Sequence, residues 1–298
     1  MEKNLMMLVN PVAGRALTAA ALGHAVNTFC AAGWHPTVMF TDAPGAARTM
    51  AAKYAPEFYH LVCLGGDGTL SDVISGLMTL PPEQRPRLGY IPMGTANDVA
   101  NTLGIPMRQS ARAAAQVLNG TPLPYDVGEM PGVGYFTYIA AFGAFTEVSY
   151  KTDQELKHAL GHAAYVLEAI SSLPSIRSCH ALVEHDGGSL EGDFIYGSVS
   201  NSLSVAGVMK MSRELVDLSD GKFELLLVHK PKQPGDLNGV IANLLNQNYT
   251  SPCLTVLQST RVKFTFEEPV SWTRDGEDGG AHTELELLCH PRAVEIWR

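Results

Sequence analysis

The 298-residue chain is short of positive charge, with 21 Lys and Arg against 30 Asp and Glu and a net charge of −9. A general nucleic-acid binder needs a basic field to displace counterions from phosphates, so that class is excluded. Non-specific attraction to anionic membranes is disfavoured on the same ground. The basic pairs Arg85/Arg87, Lys210/Arg213 and Lys230/Lys232 read as scattered solvated charges. Cysteine is scarce and badly spaced: Cys30, Cys63, Cys179, Cys253 and Cys289 are odd in number and never form C-x-x-C. A disulfide framework and a zinc ribbon are thereby excluded. Long apolar runs are missing too. Leu5 to Val9 is shorter than a signal-peptide core, and no stretch approaches the roughly 18 to 20 apolar residues of a spanning helix. These absences point to a cytoplasmic setting with no membrane anchor.

What is present is a globular composition, 46% hydrophobic and 17% charged, at a length where chains tend to divide into two domains. Leu5 to Val9 reads as a strand, followed by Leu22, Ala25, Val26 and Phe29 on one helix face. Further units follow: strand His35 to Thr41, helix Gly45 to Tyr54, strand Tyr59 to Leu64, helix Leu70 to Leu80, strand Leu88 to Ile91 and helix Asn97 to Leu103. Such βα units predict a mainly parallel sheet with helices on both faces. After about Pro124 the period changes to two, in Phe223/Leu225/Leu227, Val262/Phe264/Phe266 and Leu285/Leu287, which predicts antiparallel sheet with one wet face. Asp186-Gly187-Gly188 reads as a hairpin turn, and two helical stretches, Glu155 to Ser172 and Leu237 to Asn246, interrupt the strands.

Three loops follow three of the parallel strands: Asn10-Pro11-Val12-Ala13-Gly14-Arg15, Gly65-Gly66-Asp67-Gly68-Thr69, and Pro92-Met93-Gly94-Thr95-Ala96-Asn97-Asp98. Loops at the carboxyl ends of strands converge on the ligand crevice of an open α/β sheet. Glycine lets the backbone approach a phosphate, and the following helix N-terminus supplies N–H donors and a positive dipole end. One such loop alone is equally a tight turn with an N-capping Thr or Asn; three at successive strand ends favour a phosphate site. Neither G-x-G-x-x-G nor G-x-x-x-x-G-K-[ST] is present. Charge compensation therefore falls to a divalent cation, to backbone amides, or to an arginine such as Arg15.

Gly65-Gly66-Asp67-Gly68-Thr69 resembles the phosphate loop shared by diacylglycerol, sphingosine and NAD kinases and 6-phosphofructokinases. With Asn10-Pro11-x-x-Gly14 and Pro92-x-Gly94-Thr95-x-Asn97-Asp98 the resemblance narrows to the diacylglycerol kinase catalytic-domain family, in particular its soluble bacterial lipid kinases. It implies an α/β nucleotide-binding domain over 1–124, to which 291–298 return, and a C-terminal antiparallel β-rich sandwich domain over 125–290, with ATP in the cleft between them. Gly66, Asp67, Gly68, Thr69, Leu70, Ser71 and Asp72 are expected to wrap the ATP phosphates, joined by Asn10, Thr41, Gly94, Thr95 and Asn97. Asp72 stands where the family usually has Glu.

Phosphoryl transfer to a hydroxyl needs positioning, charge neutralisation and a proton acceptor. Trp272-Thr273-Arg274-Asp275-Gly276-Glu277 resembles the family's Asp-Gly-Glu motif, which assigns the catalytic base to Glu277; without the resemblance the segment reads as a surface hairpin in an acidic run. Asp278-Gly279-Gly280 replaces a proline common just after that motif. Asp217-Leu218-Ser219-Asp220-Gly221-Lys222 resembles a structural Mg²⁺ site, with the Asp220 carboxylate and the carbonyls of Asp217 and Lys222 as ligands and Asp126 linked through water; a type I turn is the plain alternative. Asp67 is the expected neighbour of the Mg²⁺ carried by ATP. His158 and His162, four apart, have no evident third zinc ligand. The resemblance implies a lipid acceptor at or extracted from a membrane surface, whether diacylglycerol, phosphatidylglycerol, a sphingoid base or an undecaprenyl-type alcohol. A soluble-acceptor kinase and a non-catalytic lipid sensor are the competing readings. An exposed sheet edge leaves room for a homodimer.

Overall fold

A computed structural model describes residues 3–13, 18–143, 178–205, 209–211, 214–233, 236, 239, 240, 243 and 248–298. The expected helices over 155–172 and 237–246 lie wholly or mostly outside the described residues, as do Gly14, Arg15, His158 and His162. Two compact units divide the chain: Met1–Val127 with Leu218–Asp220 and His290–Arg298, and Gly128–Asp217 with Gly221–Cys289.

The first unit runs β1 (Asn4–Val9), α1 (Thr18–Ala31), β2 (His35–Phe40), α2 (Ala46–Tyr54), β3 (His60–Gly65), α3 (Asp67–Leu77), β4 (Arg87–Pro92), α4 (Asp98–Leu103) and α5 (Ser110–Asn119). β1 pairs in parallel with β2 and β3, and β3 with β4. β3 is buried along its whole length and β1 from Leu5 to Val9, as continuous apolar strands covered on both faces must be. α3 begins at Asp67, three residues before the position that periodicity alone predicts. Gly66 is extended, and its carbonyl takes the Leu70 N–H at 3.0 Å, so Asp67, Gly68 and Thr69 form the first helical turn. A glycine there costs little, because the first turn's N–H groups have no intrahelical partner in any case.

β5 (Pro122–Met130) leads into the second unit, which continues with β6 (Gly134–Phe136), β7 (Ile139–Gly143), β8 (Cys179–His185), β9 (Gly188–Ser200), β10 (Ser204–Val205), β11 (Met209–Lys210), β12 (Phe223–His229), β13 (Leu254–Ser259), β14 (Arg261–Arg274) and β15 (Glu277–Trp297). The pairings of β7, β8, β9, β12, β13 and β14 are antiparallel. The long strands β9 and β14 each pair with β8 through one half and with β7 through the other, which curls the ladder around a core that includes Phe142, Phe194, Phe264 and Trp272. β8 and β9 meet at the expected two-residue turn, with His185 opposite Gly188. The last residues of β15 return to the first unit, where Ile296 pairs in parallel with Leu88.

The expectation of one wet face fails at β12. Phe223 to Val228 are all buried, and Glu224 is fully so, taking a hydrogen bond from Gln258 Nε2 at 3.3 Å. Both faces of β12 are covered, since residues alternating along the strand are all buried, so its polar residue has no solvent to face.

Candidate active site

The three glycine-rich loops stand at the carboxyl ends of β1, β3 and β4 and are tied to one another by named bonds. Asn10 N–H donates to the Leu64 carbonyl at 3.0 Å and Met93 N–H to the Gly65 carbonyl at 2.7 Å, extending the parallel ladder into the loops. Asn10 Nδ2 donates to Thr69 Oγ1 at 2.9 Å, fastening the first loop to the opening turn of α3. Gly66 and Gly94 lie back to back, since a Cβ on Gly94 would stand 2.8 Å from Gly66 Cα and 2.8 Å from Asn97 Oδ1. Thr41 donates its N–H to the Val9 carbonyl at 2.9 Å, placing it beside the same strand ends.

Several residues expected to hold a nucleotide turn out to spend their side chains on the loops themselves. Asn97 adopts φ 51, a left-handed conformation that Asn tolerates better than most residues. Its Oδ1 accepts from Gly94 N–H at 2.9 Å and from the Tyr90 hydroxyl at 3.3 Å, while Nδ2 donates to the Gly94 carbonyl at 2.7 Å. Asn10 Oδ1 accepts from Val12 N–H at 3.1 Å. Leu70 and Ser71 are buried, whereas Thr95 is exposed and Gly66, Asp67 and Gly68 are half-buried.

The carboxylates of the second loop are held in place. Asp67 Oδ2 accepts from Asp98 N–H at 3.2 Å, joining the starts of α3 and α4. Asp72 Oδ1 lies 3.3 Å from Arg48 Nη2 on α2, so the shortened side chain at the family's Glu position has an arginine partner. Burial, and then the charges of Asp67 and Asp72, push the Cys63 thiol far above its usual range, which makes it an inert core group rather than a nucleophile.

In the second unit Glu277 opens β15 and is exposed, directly opposite Arg274 across the β14–β15 ladder. The intervening Asp275-Gly276 turn has φ 49 and φ 82, the left-handed pair of a type I′ hairpin. Asp275 is not part of a surface acidic run. It is 6% exposed, and its carboxylate takes backbone N–H bonds from Thr137 at 2.6 Å, Tyr138 at 3.0 Å and Ile139 at 3.1 Å. Its own N–H donates to the Ile139 carbonyl at 2.9 Å. The sequence reading missed this anchor; the Asp-Gly turn signal was its only trace. Asp278-Gly279-Gly280 lies within β15, where the pairing shifts by one between Trp272 and Thr273.

Asp217, Asp220 and Lys222 are exposed, and Gly221 turns the chain at φ 81. The Leu218 carbonyl takes the Asp126 N–H at 2.9 Å and the Ser219 carbonyl takes Arg292 Nε at 3.2 Å. Asp126 is fully buried, and its Oδ1 accepts from Arg292 N–H at 2.6 Å. The segment is thus held by carbonyls other than those expected to bind a cation, and its expected donors are all oxygen, which suits a hard divalent ion. Among the described residues no group of three or more His, Cys, Asp or Glu is placed to hold a metal.

The sequence matches the family model of the diacylglycerol kinase catalytic domain over residues 4–130. A diacylglycerol kinase of Bacillus subtilis (strain 168) is 34% identical over 282 residues, covering 93% of this chain and 91% of that protein. A diacylglycerol kinase of Staphylococcus aureus (strain Newman) is 33% identical over 231 residues, covering 77% and 72%. A solved structure from Bacillus anthracis superposes over 99% of this chain and 97% of its own, with a TM-score of 0.84 at 24% identity. A second from that organism, described as a diacylglycerol kinase, covers 99% and 96% with a TM-score of 0.77 at 20% identity. At these identities the structural likeness speaks to fold.

Proposed function

The chain belongs to the diacylglycerol kinase family, and on that premise we propose an ATP- and Mg²⁺-dependent enzyme that transfers the γ-phosphoryl group to the hydroxyl of a diacylglycerol-like lipid. It is a phosphotransferase with an alcohol acceptor. The observation that carries the nucleotide half of the proposal is the joining of three glycine-rich loops at neighbouring strand ends through Asn10–Thr69, Gly66–Gly94 and Asp67–Asp98.

In this reading Gly66 to Thr69 present N–H groups and the α3 dipole to the phosphates, with Gly94, Thr95 and Thr41 around the nucleotide and Asn10 and Asn97 setting loop shape. Asp67 is placed for the cation that travels with ATP. Mg²⁺, when bound, neutralises developing charge on the β- and γ-oxygens. A second cation would be held by the Asp220 carboxylate with the Asp217 and Lys222 carbonyls, with Asp126 as a further carboxylate linked to it through water. Glu277 takes the acceptor hydroxyl's proton, and Asp275 fixes the hairpin tip that carries it. The acceptor is lipid drawn from a membrane surface. Among the described residues no helix is long and apolar enough to cross a membrane.

Replacing the base tests the assignment. Glu277→Gln should bind ATP with unchanged affinity while phosphoryl transfer falls by about 10² to 10⁴. Transfer at the parent rate would remove Glu277 from the mechanism.

A further inference from the structure

A loop that must hold a polyphosphate carries two carboxylates of its own, Asp67 in the first turn of α3 and Asp72 in the second. A helix N-terminus offers only about half a positive charge, and the chain has no lysine in the position that P-loop enzymes use. Uncorrected, the loop would repel its ligand. Asp67 is engaged by the Asp98 N–H. Asp72 is answered by Arg48, a residue of α2 that belongs to none of the three motifs.

The placement of Arg48 is built rather than incidental. A Cβ on Gly76 would stand 2.3 Å from the Arg48 carbonyl oxygen, so the absent side chain lets α2 ride directly on α3. From that fixed backbone the guanidinium runs one turn along α3 to Asp72, with Nη2 at 3.3 Å from Oδ1. Arg48 Nε is buried with no hydrogen-bond partner, so Asp72 is the contact that the group makes. The Arg48 and Asp72 side chains are 43% and 22% exposed, so the pair is half-buried and its strength depends on solvent and salt screening.

We propose that Arg48 is a positioning residue of the nucleotide site, cancelling the charge of Asp72 so that the α3 N-terminus stays electropositive toward a polyphosphate. The inference rests on the reading that these loops hold ATP. Its distinctive consequence is a dependence on ligand charge. Loss of Arg48 weakens ligands in proportion to their phosphate count, and removing the Asp72 charge as well restores them.

The test is calorimetric titration of Mg²⁺-ATP, ADP and AMP into the full chain and its Arg48→Ala, Arg48→Lys, Asp72→Asn and Arg48→Ala/Asp72→Asn variants, with thermal unfolding of each. Arg48→Ala should weaken ATP about five- to tenfold and AMP about twofold, with the difference shrinking at high salt. Arg48→Lys and the double variant should return ATP affinity to within about twofold of the parent. Equal weakening of ATP and AMP, or no recovery in the double variant, would overturn the proposal, as would unchanged ATP affinity in Arg48→Ala. If the parent chain itself binds no ATP, the functional reading falls and this inference with it; ATP binding by the parent with any of the preceding results overturns the inference alone.

Discussion

The two units carry their candidate residues by opposite means. In the first, side chains are turned onto the loops: Asn10 and Asp67 bond to neighbouring loops and Asn97 to its own. In the second, the proposed base Glu277 is an exposed side chain, and a buried carboxylate, Asp275, takes three N–H groups to hold the turn beside it. A phosphate site can be made of peptide groups because it needs many modest donors at fixed spacing. A proton acceptor cannot, because it needs one group of the right basicity on a rigid support.

If that contrast is right, the second unit should be the more fragile to a single substitution. Asp275→Ala leaves three backbone N–H groups without their acceptor and should cost about 3 to 4 kcal/mol, seen as a lowered denaturant midpoint. ATP binding should survive as long as the protein is folded. In the nucleotide loops of the first unit a damaging change is the addition of one carbon. Gly94→Ala forces Gly66 and Asn97 apart and should cost about 1 to 3 kcal/mol, expressed mainly as weaker ATP binding. Asn97→Ala, which removes two loop bonds and leaves an alanine in a left-handed conformation, should cost about 1 to 2 kcal/mol with the same bias toward nucleotide affinity.

The smallest effect lies away from both. His60 packs against Trp34, Tyr59 and Trp297 and accepts from Trp297 Nε1 at 3.4 Å. Burial, with the Arg87 charge adding to it, lowers its pKa from 6.5 to about 4. Between those values the unfolded chain binds more protons, so the stability that His60 contributes is complete above about pH 6.5 and lost as pH falls toward 4. His60→Phe should flatten that part of the Tm–pH profile by roughly 1 kcal/mol, while transfer at neutral pH is unchanged.

The same contrast governs how much could be read from sequence. Backbone-built loops leave a local signature, because Gly66, Gly94 and Asn97 are demanded by close approach or positive φ, and the strands that carry them are continuous apolar runs. The start of α3 was misplaced by three residues because Gly68 reads as a break when it is in fact part of a first turn. Tertiary pairings leave no such mark. Arg48 is one more helix arginine until α2 is laid on α3, and Glu224 looks like a wet-face residue until its face of β12 is covered and Gln258 of β13 bonds to it. The anchoring of Asp275 is invisible in the sequence because nothing local reveals the Thr137–Ile139 amides that meet it.

The central claim, that a backbone-built phosphate site serves a single carboxylate to phosphorylate a lipid, is tested most directly by labelled-phosphate transfer. The full chain would be given γ-labelled ATP and Mg²⁺ with diacylglycerol, phosphatidylglycerol, a sphingoid base and an undecaprenyl-type alcohol in detergent micelles, with Glu277→Gln in parallel. The account predicts a labelled lipid formed by the parent chain and not by the variant. ATP bound at the loops with no labelled lipid from any acceptor would contradict it.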